Sequence, residues 1–307
     1  MKVAAIDIGT NSSRLLIVDV KNDENFKVLK RDLITTRLGA GVDQNKKLKT
    51  KAINRVVQAV GEFNKALKNR DVQNVKIVGT SALRDVKNSH QLINEIQKKF
   101  NYELEVISGL KEARLIYQGV KTDISFSKFL LIDIGGGSTE FIQKNNQKVK
   151  YKSLNLGAVR ITENNIPKPE DKLTKKQINS IKNKVINHLN NSLNDDWYCN
   201  KVVGVGGTIT TACAVKYKLK EYNPQIVHKS VLTSKDVGEI LYKLASLKIN
   251  QRRNINGLQP ERADIIAGGL IILKTILDYF NLNSIFISEN DILLGIVREI
   301  IKHQIKF

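Results

Sequence analysis

Asp133-Ile134-Gly135-Gly136-Gly137-Ser138-Thr139-Glu140 decides the fold of this chain, because it ends one apolar run, residues 129–133, and opens another, residues 139–143. Two runs of strand length joined through consecutive glycines predict two strands with a tight turn between them. The same arrangement stands near the N-terminus. There Asp7-Ile8-Gly9-Thr10-Asn11-Ser12-Ser13-Arg14 separates an apolar run over residues 3–7 from another over residues 15–20. Two copies of one motif this far apart predict a duplicated α/β domain, since solenoid repeats recur every ~20–50 residues.

Outward from the first motif, the pattern predicts a third strand within residues 26–38. A helix over residues 49–68 carries Ile53, Val56, Val57, Val60, Phe63 and Leu67 on one face. A strand over 75–78, a helix over 89–100, a strand over 104–107 and a helix over 111–120 complete the first unit. The second unit repeats the order: a strand over 149–156, a helix over 172–193, a strand over 201–205, then the turn Gly204-Val205-Gly206-Gly207 and a small-residue helix over 208–215. Helices over 234–244 and 262–280, a strand over 284–287 and a helix over 291–302 follow. Such alternation predicts a mixed sheet in each half, with ligands at the carboxyl ends of strands and in the cleft between halves. The expected domains are residues 1–121 and 122–307, with the terminal helix, residues 291–307, allowed to return to the first.

The composition fits a folded chain: of 307 residues 41% are hydrophobic and 26% charged, too apolar for disorder even at a formal charge of +20. The longest apolar run, residues 265–273, falls short of the ~20 residues that span a bilayer. Asp7 interrupts the N-terminal apolar run before it reaches signal-peptide length, so a cytoplasmic protein with no membrane partner is expected. Cys199 and Cys213 form no CxxC and are read as reduced packing residues, which disfavours zinc. The positive charge admits nucleic acid, a small polyanionic substrate or a Lys-rich surface. Aromatic residues are only 6% and do not interleave with basic ones, which disfavours nucleic acid.

Several turns can carry chemistry. Gly135, Gly136 and Gly137 allow a tight turn whose N–H groups, with Ser138, can nest phosphate oxygens. Asp133 and Glu140 supply hard oxygen donors suited to Mg²⁺. In the first loop Asp7, Thr10, Asn11, Ser12 and Arg14 replace glycines with hydroxyl, amide and guanidinium donors suited to a phosphate chain. Thr80-Ser81-Ala82-Leu83-Arg84-Asp85 places Arg84 at the start of a helix, where anions bind or where a cap and an ordinary ion pair suffice. Glu112 follows Ile107-Ser108-Gly109 in the first turn of a helix; it either complements the helix dipole or serves as a general base. Gly206, Gly207 and Thr208 form a third turn before a helix. The four histidines are dispersed, and neither a G-x-S-x-G elbow nor a G-x-x-x-x-G-K-[ST] loop occurs.

Taken in order, residues 6–15, 80–85, 107–116 and 133–140 resemble the exopolyphosphatase/guanosine pentaphosphate phosphohydrolase family. The likeness continues through Leu156-Gly157-Ala158-Val159-Arg160, Gly204 to Thr208, Arg262-Ala263-Asp264 and Ser288-Glu289, and so covers nearly the whole chain. It implies a duplicated ribonuclease-H-like architecture, of the actin, sugar kinase and Hsp70 kind, with an active-site cleft between the domains. It implies hydrolysis of terminal phosphoanhydrides with Mg²⁺ or Mn²⁺. Glu112 matches the catalytic glutamate that activates water, and Asp133, Gly135, Gly136, Ser138 and Glu140 match the metal and phosphate-loop positions. Asp7 and Arg14 fall on the first phosphate loop and Arg84 on a substrate-contacting arginine. The expected substrate is inorganic polyphosphate, with guanosine pentaphosphate, or binding without turnover, as alternatives; a homodimer is compatible with this reading. Two features depart from the family. Ser288-Glu289-Asn290-Asp291-Ile292-Leu293 lacks the arginine that usually follows Ser-Glu-x-Gly-Leu, and the C-terminal helical domain of long members is not expected here.

Overall fold

Val3, Ala4, Ala5, Ile6 and Ile8 are all buried, so the first strand, β1 (Lys2–Ile8), presents apolar side chains on both faces, as a central strand must. It pairs antiparallel with β2 (Ser12–Val20) and parallel with β4 (Asn74–Gly79). β3 (Phe26–Thr35) extends the antiparallel side and β5 (Leu104–Val106) the parallel side, giving the order β3-β2-β1-β4-β5. The computed structural model describes residues 1–21, 26–121, 123–193, 197 and 200–304. Cys199 lies outside the described residues; Cys213 is a buried free thiol.

The chain divides into two compact units, Met1–Thr122 with Asn290–Phe307, and Asp123–Glu289. In the first, the helix Thr50–Lys68 buries the predicted stripe of Ile53, Val56, Val57, Val60, Phe63 and Leu67. The third strand stops at Thr35, earlier than the expected residue 38. Arg37 turns left-handed (φ 47°), and the Thr36 and Arg37 N–H groups donate to Asn11 O instead of continuing the ladder. The helices Gly109–Val120 and Ile292–Gln304 touch through glycines: a Cβ at Gly295 would lie 1.9 Å from Leu115 O, and one at Gly119 would lie 2.0 Å from Asp291 O.

The second unit repeats the first. β6 (Lys128–Ile134) pairs antiparallel with β7 (Thr139–Asn145), which pairs with β8 (Lys148–Leu154). On the other side β6 runs parallel to β9 (Val202–Val205), and β9 to β11 (Ser284–Ile287). The order β8-β7-β6-β9-β11 thus matches β3-β2-β1-β4-β5, and a short antiparallel strand, β10 (Val231–Thr233), is added beyond β11. This is the duplicated ribonuclease-H-like pattern that the resemblance implied. The helix expected over 262–280 is shorter: Pro260–Arg262 makes one 3₁₀ turn and the α-helix runs over Ile266–Tyr279, buried nearly all round. The motif at Gly157-Ala158-Val159-Arg160 opens a helix, Ala158–Asn165, that apolar periodicity did not reveal.

Candidate functional site

In each unit the sequence-predicted residues leave the carboxyl ends of adjacent parallel strands. In the first, Ile8 is in register with Gly79, and Gly79 with Val106. The first loop, the turn Thr80–Arg84 and the turn before Glu112 therefore start side by side, where ligands of open α/β sheets bind.

The two hairpin turns share one geometry. Gly9 N–H donates to Ser12 O and Gly135 N–H to Ser138 O, both at 3.0 Å. In the first turn, Thr10 O and Asn11 O accept from the backbone of Thr36, Arg37 and Gly39. In the second, Gly135 O accepts from Ala158 N–H (2.9 Å), Gly136 O from Val159 (2.8 Å) and Arg160 (3.2 Å), and Gly137 O from Arg160 Nε (2.8 Å). The carbonyl and N–H of a trans peptide point opposite ways, so carbonyls turned toward the helix Ala158–Asn165 aim the N–H groups of Gly136, Gly137 and Ser138 away from it. That is the geometry of an anion nest. Thr10, Asn11 and Ser12 are buried, and Asn11 Nδ2 donates to Ser12 Oγ at 3.1 Å.

The hairpins differ at the residue opposite the strand-end aspartate. Asp7 lies across from Arg14, whose Nε and Nη2 donate to Asp7 Oδ2 at 3.0 and 2.7 Å, while Nη1 donates to Asp291 Oδ2. Burial pushes the Asp7 carboxyl above its usual range; Arg14 opposes this and Asp291 adds to it. Asp7 Oδ1 is buried without a hydrogen-bond partner. Asp133, by contrast, lies across from Glu140, whose Oε1 accepts from Ser153 Oγ at 2.7 Å. Gly206, at φ 88° and ψ 162°, occupies backbone space open essentially only to glycine. A Cβ there would lie 2.1 Å from Asp133 Oδ1, so the glycine makes room for the carboxylate.

Glu112 sits one turn into the helix Gly109–Val120, where Ser108 Oγ caps Lys111 N–H at 3.2 Å. Its side chain is mostly buried, and its Oε2 accepts from Arg84 Nη1 at 3.0 Å; the same nitrogen donates to Ile107 O at 3.0 Å. Arg84 thus ties Glu112 to the strand end before it. In the third turn, a Cβ at Gly207 would lie 1.9 Å from Arg262 Nη1, and one at Gly269 would lie 2.6 Å from Thr208 Oγ1. Arg262 therefore packs over the Gly207 backbone, and Thr208 against the helix Ile266–Tyr279.

The donors fit a hard cation. Among the described residues no group of three or more His, Cys, Asp or Glu side chains could hold an ion. The register-opposed Asp133 and Glu140 are hard oxygen donors of the kind Mg²⁺ takes, one or two at a time, with water and phosphate oxygens filling its remaining positions. Sequence reasoning gave no site role to Ser153, Arg160 or Asp291, although Arg160 and Asp291 stand in segments compared with the family. The first two stand one hairpin or one helix turn from the motifs they serve. Asp291 is brought to Arg14 only by the fold.

These features define a class of protein: an α/β chain built twice, with the same hydrogen-bonded turn after the first strand of each copy. Residues 16–303 match the Ppx/GppA phosphatase family, and the chain belongs to that family. It is 40% identical to a bifunctional 3-dehydroquinate synthase/phosphatase of Fusobacterium nucleatum over 96% of this chain, but spans only 46% of that relative's length. It is 30% identical to exopolyphosphatase 2 of Mycobacterium tuberculosis, covering 96% of this chain and 97% of the relative. A solved Ppx/GppA family member from Aquifex aeolicus aligns at a TM-score of 0.82 with 27% identity, over 99% of this chain and 98% of the other. Among the described residues, no helix is long and apolar enough to cross a membrane.

Proposed function

We propose that the protein is an exopolyphosphatase that releases terminal orthophosphate from inorganic polyphosphate, with Glu112 as general base. The observation that carries this reading is the Arg84–Glu112 pair at the carboxyl end of β5. A mostly buried carboxylate held in one orientation in the first turn of a helix supports the general-base reading, which asks for a fixed carboxylate within hydrogen-bond reach of water. Family membership and the exopolyphosphatase relative support the reaction class.

In this reading the turns of each unit bind phosphate oxygens through backbone N–H groups, and the Thr10, Asn11 and Ser12 side chains and Arg14 add donors. Asp133 and Glu140 are the residues that would hold Mg²⁺ or Mn²⁺. When bound, the cation supplies charge neutralisation at the phosphoryl oxygens. Glu112 takes the proton of the attacking water, the terminal phosphoanhydride bond breaks, and the shortened chain leaves as the anion. Positioning and charge stabilisation dominate phosphoryl transfer, so a cradle of this kind is sufficient machinery. The +20 charge draws a polyanion in and makes its binding salt-dependent.

The test is phosphate release over a panel of polyphosphate lengths, guanosine pentaphosphate and ATP, with and without Mg²⁺. Metal-dependent orthophosphate release, fastest from polyphosphate, is expected. The family name joins two activities, so faster release from guanosine pentaphosphate than from every polyphosphate at equal chain ends would replace the substrate assignment. Tight binding with no release would make the protein a sensor instead.

A further inference from the structure

Arg14 is held from two sides. Its Nε and Nη2 donate to Asp7 Oδ2, and Nη1 to Asp291 Oδ2. Two carboxyl groups thus share one guanidinium, so the arginine read in the sequence as a phosphate donor is already engaged by acids of the protein. Asp291 is not a loosely placed surface acid. Its Oδ1 accepts from Leu293 N–H at 3.0 Å and so caps the helix Ile292–Gln304. Its backbone is fixed against Gly119, on the helix that carries Glu112, where a Cβ would come within 2.0 Å of Asp291 O.

We propose that Asp291 is a specificity-determining positioning residue, which holds Arg14 against the protein and cancels its charge toward phosphate oxygens. A guanidinium binds carboxylate and phosphate through the same planar fork, so Asp291 and an incoming phosphate compete for Arg14. The first loop then grips a polyanion weakly and releases orthophosphate readily. The inference rests on the phosphohydrolase reading above, and the two are tested separately: turnover by the unmodified chain tests the reaction, and the variants below test Asp291.

Asp291→Asn keeps a side-chain oxygen for the helix cap and removes the charge; Asp291→Glu keeps the charge. Calorimetric titration with inorganic tripolyphosphate at several salt concentrations, and steady-state phosphate release, are measured for both variants and the unmodified chain. Asp291→Asn is expected to bind roughly three- to tenfold more tightly. Its KM should fall in proportion while kcat stays level or drops, and the slope of log affinity against log salt should steepen by about one charge. Asp291→Glu should stay close to the unmodified chain. A purely structural cap would leave the salt slope unchanged in Asp291→Asn, and that result overturns the proposal. So does weaker tripolyphosphate binding by Asp291→Asn, which would mean that Asp291 presents Arg14 rather than restraining it. Should Asp291→Asn fail to fold, Asp291→Ser offers a second uncharged cap and is judged by the same salt slope.

Discussion

Across from the strand-end aspartate, the β1–β2 hairpin places Arg14 and the β6–β7 hairpin places Glu140. The two turns share the strand order around them, the register, and the 3.0 Å bond from Gly9 or Gly135 back to the serine carbonyl, while Thr10 and Asn11 stand where the second has Gly136 and Gly137. In the first copy the aspartate shares the Arg14 guanidinium with Asp291. In the second, two carboxylates occupy the opposed positions, and Ser153 Oγ donates to Glu140. One backbone geometry thus carries two different charge pairings across from the strand-end aspartate.

The largest expected effect bears on Glu112, beyond the third parallel strand of the first copy. Glu112→Gln should retain fold and tripolyphosphate binding but lose on the order of 10²-fold or more in turnover. Near-normal phosphate release by the variant would remove Glu112 as the base. Next, Gly206→Ala probes the room made for Asp133. Its glycine-only backbone conformation and the 2.1 Å approach to Asp133 Oδ1 should cost about 1–3 kcal/mol, read by thermal melting, together with weaker metal activation. The corresponding glycine of the first copy, Gly79, faces the Leu83 side chain rather than a carboxylate, so Gly79→Ala should leave metal activation intact.

Asp7 gives the comparison a pH signature. Because burial raises its folded pKa above the usual 3.8, the folded state keeps a proton that the unfolded state has already lost. Its stabilising contribution is complete below that usual value and disappears as pH rises through the folded value. Each tenfold difference in proton affinity is worth about 1.4 kcal/mol. The melting temperature of Asp7→Asn, relative to the unmodified chain, should therefore climb as pH increases from about 4. A constant difference across the series would contradict the assignment. The smallest effect belongs to Ser108→Ala, which removes the cap of the Glu112 helix and should cost about 1 kcal/mol in denaturant unfolding.

Much of this was legible before the structure. Hairpins are coded locally, by apolar runs on either side of a glycine or hydroxyl turn, so β1–β2 and β6–β7 and their equivalence followed from the sequence. The opposition of Asp133 and Glu140 is likewise a matter of turn length, and the Thr50–Lys68 helix announced itself by its apolar stripe. What escaped was short or distant. β10 spans three residues, Val231–Thr233, too few for alternation to register. The helix Ala158–Asn165 begins where the chain folds back on the Gly135–Gly137 carbonyls, a tertiary bond that propensity does not contain. Arg14 and Asp291 are separated by 277 positions, and only the return of the terminal helix to the first unit joins them.

The claim that one hairpin takes the cation and the other does not is tested most directly by Mn²⁺ titration followed by electron paramagnetic resonance, in the presence of tripolyphosphate. The unmodified chain is compared with Asp133→Asn, Glu140→Gln and Asp7→Asn. Loss of most Mn²⁺ binding in the first two variants and its retention in Asp7→Asn is the predicted result. Retention in the Asp133 and Glu140 variants with loss in Asp7→Asn would contradict it.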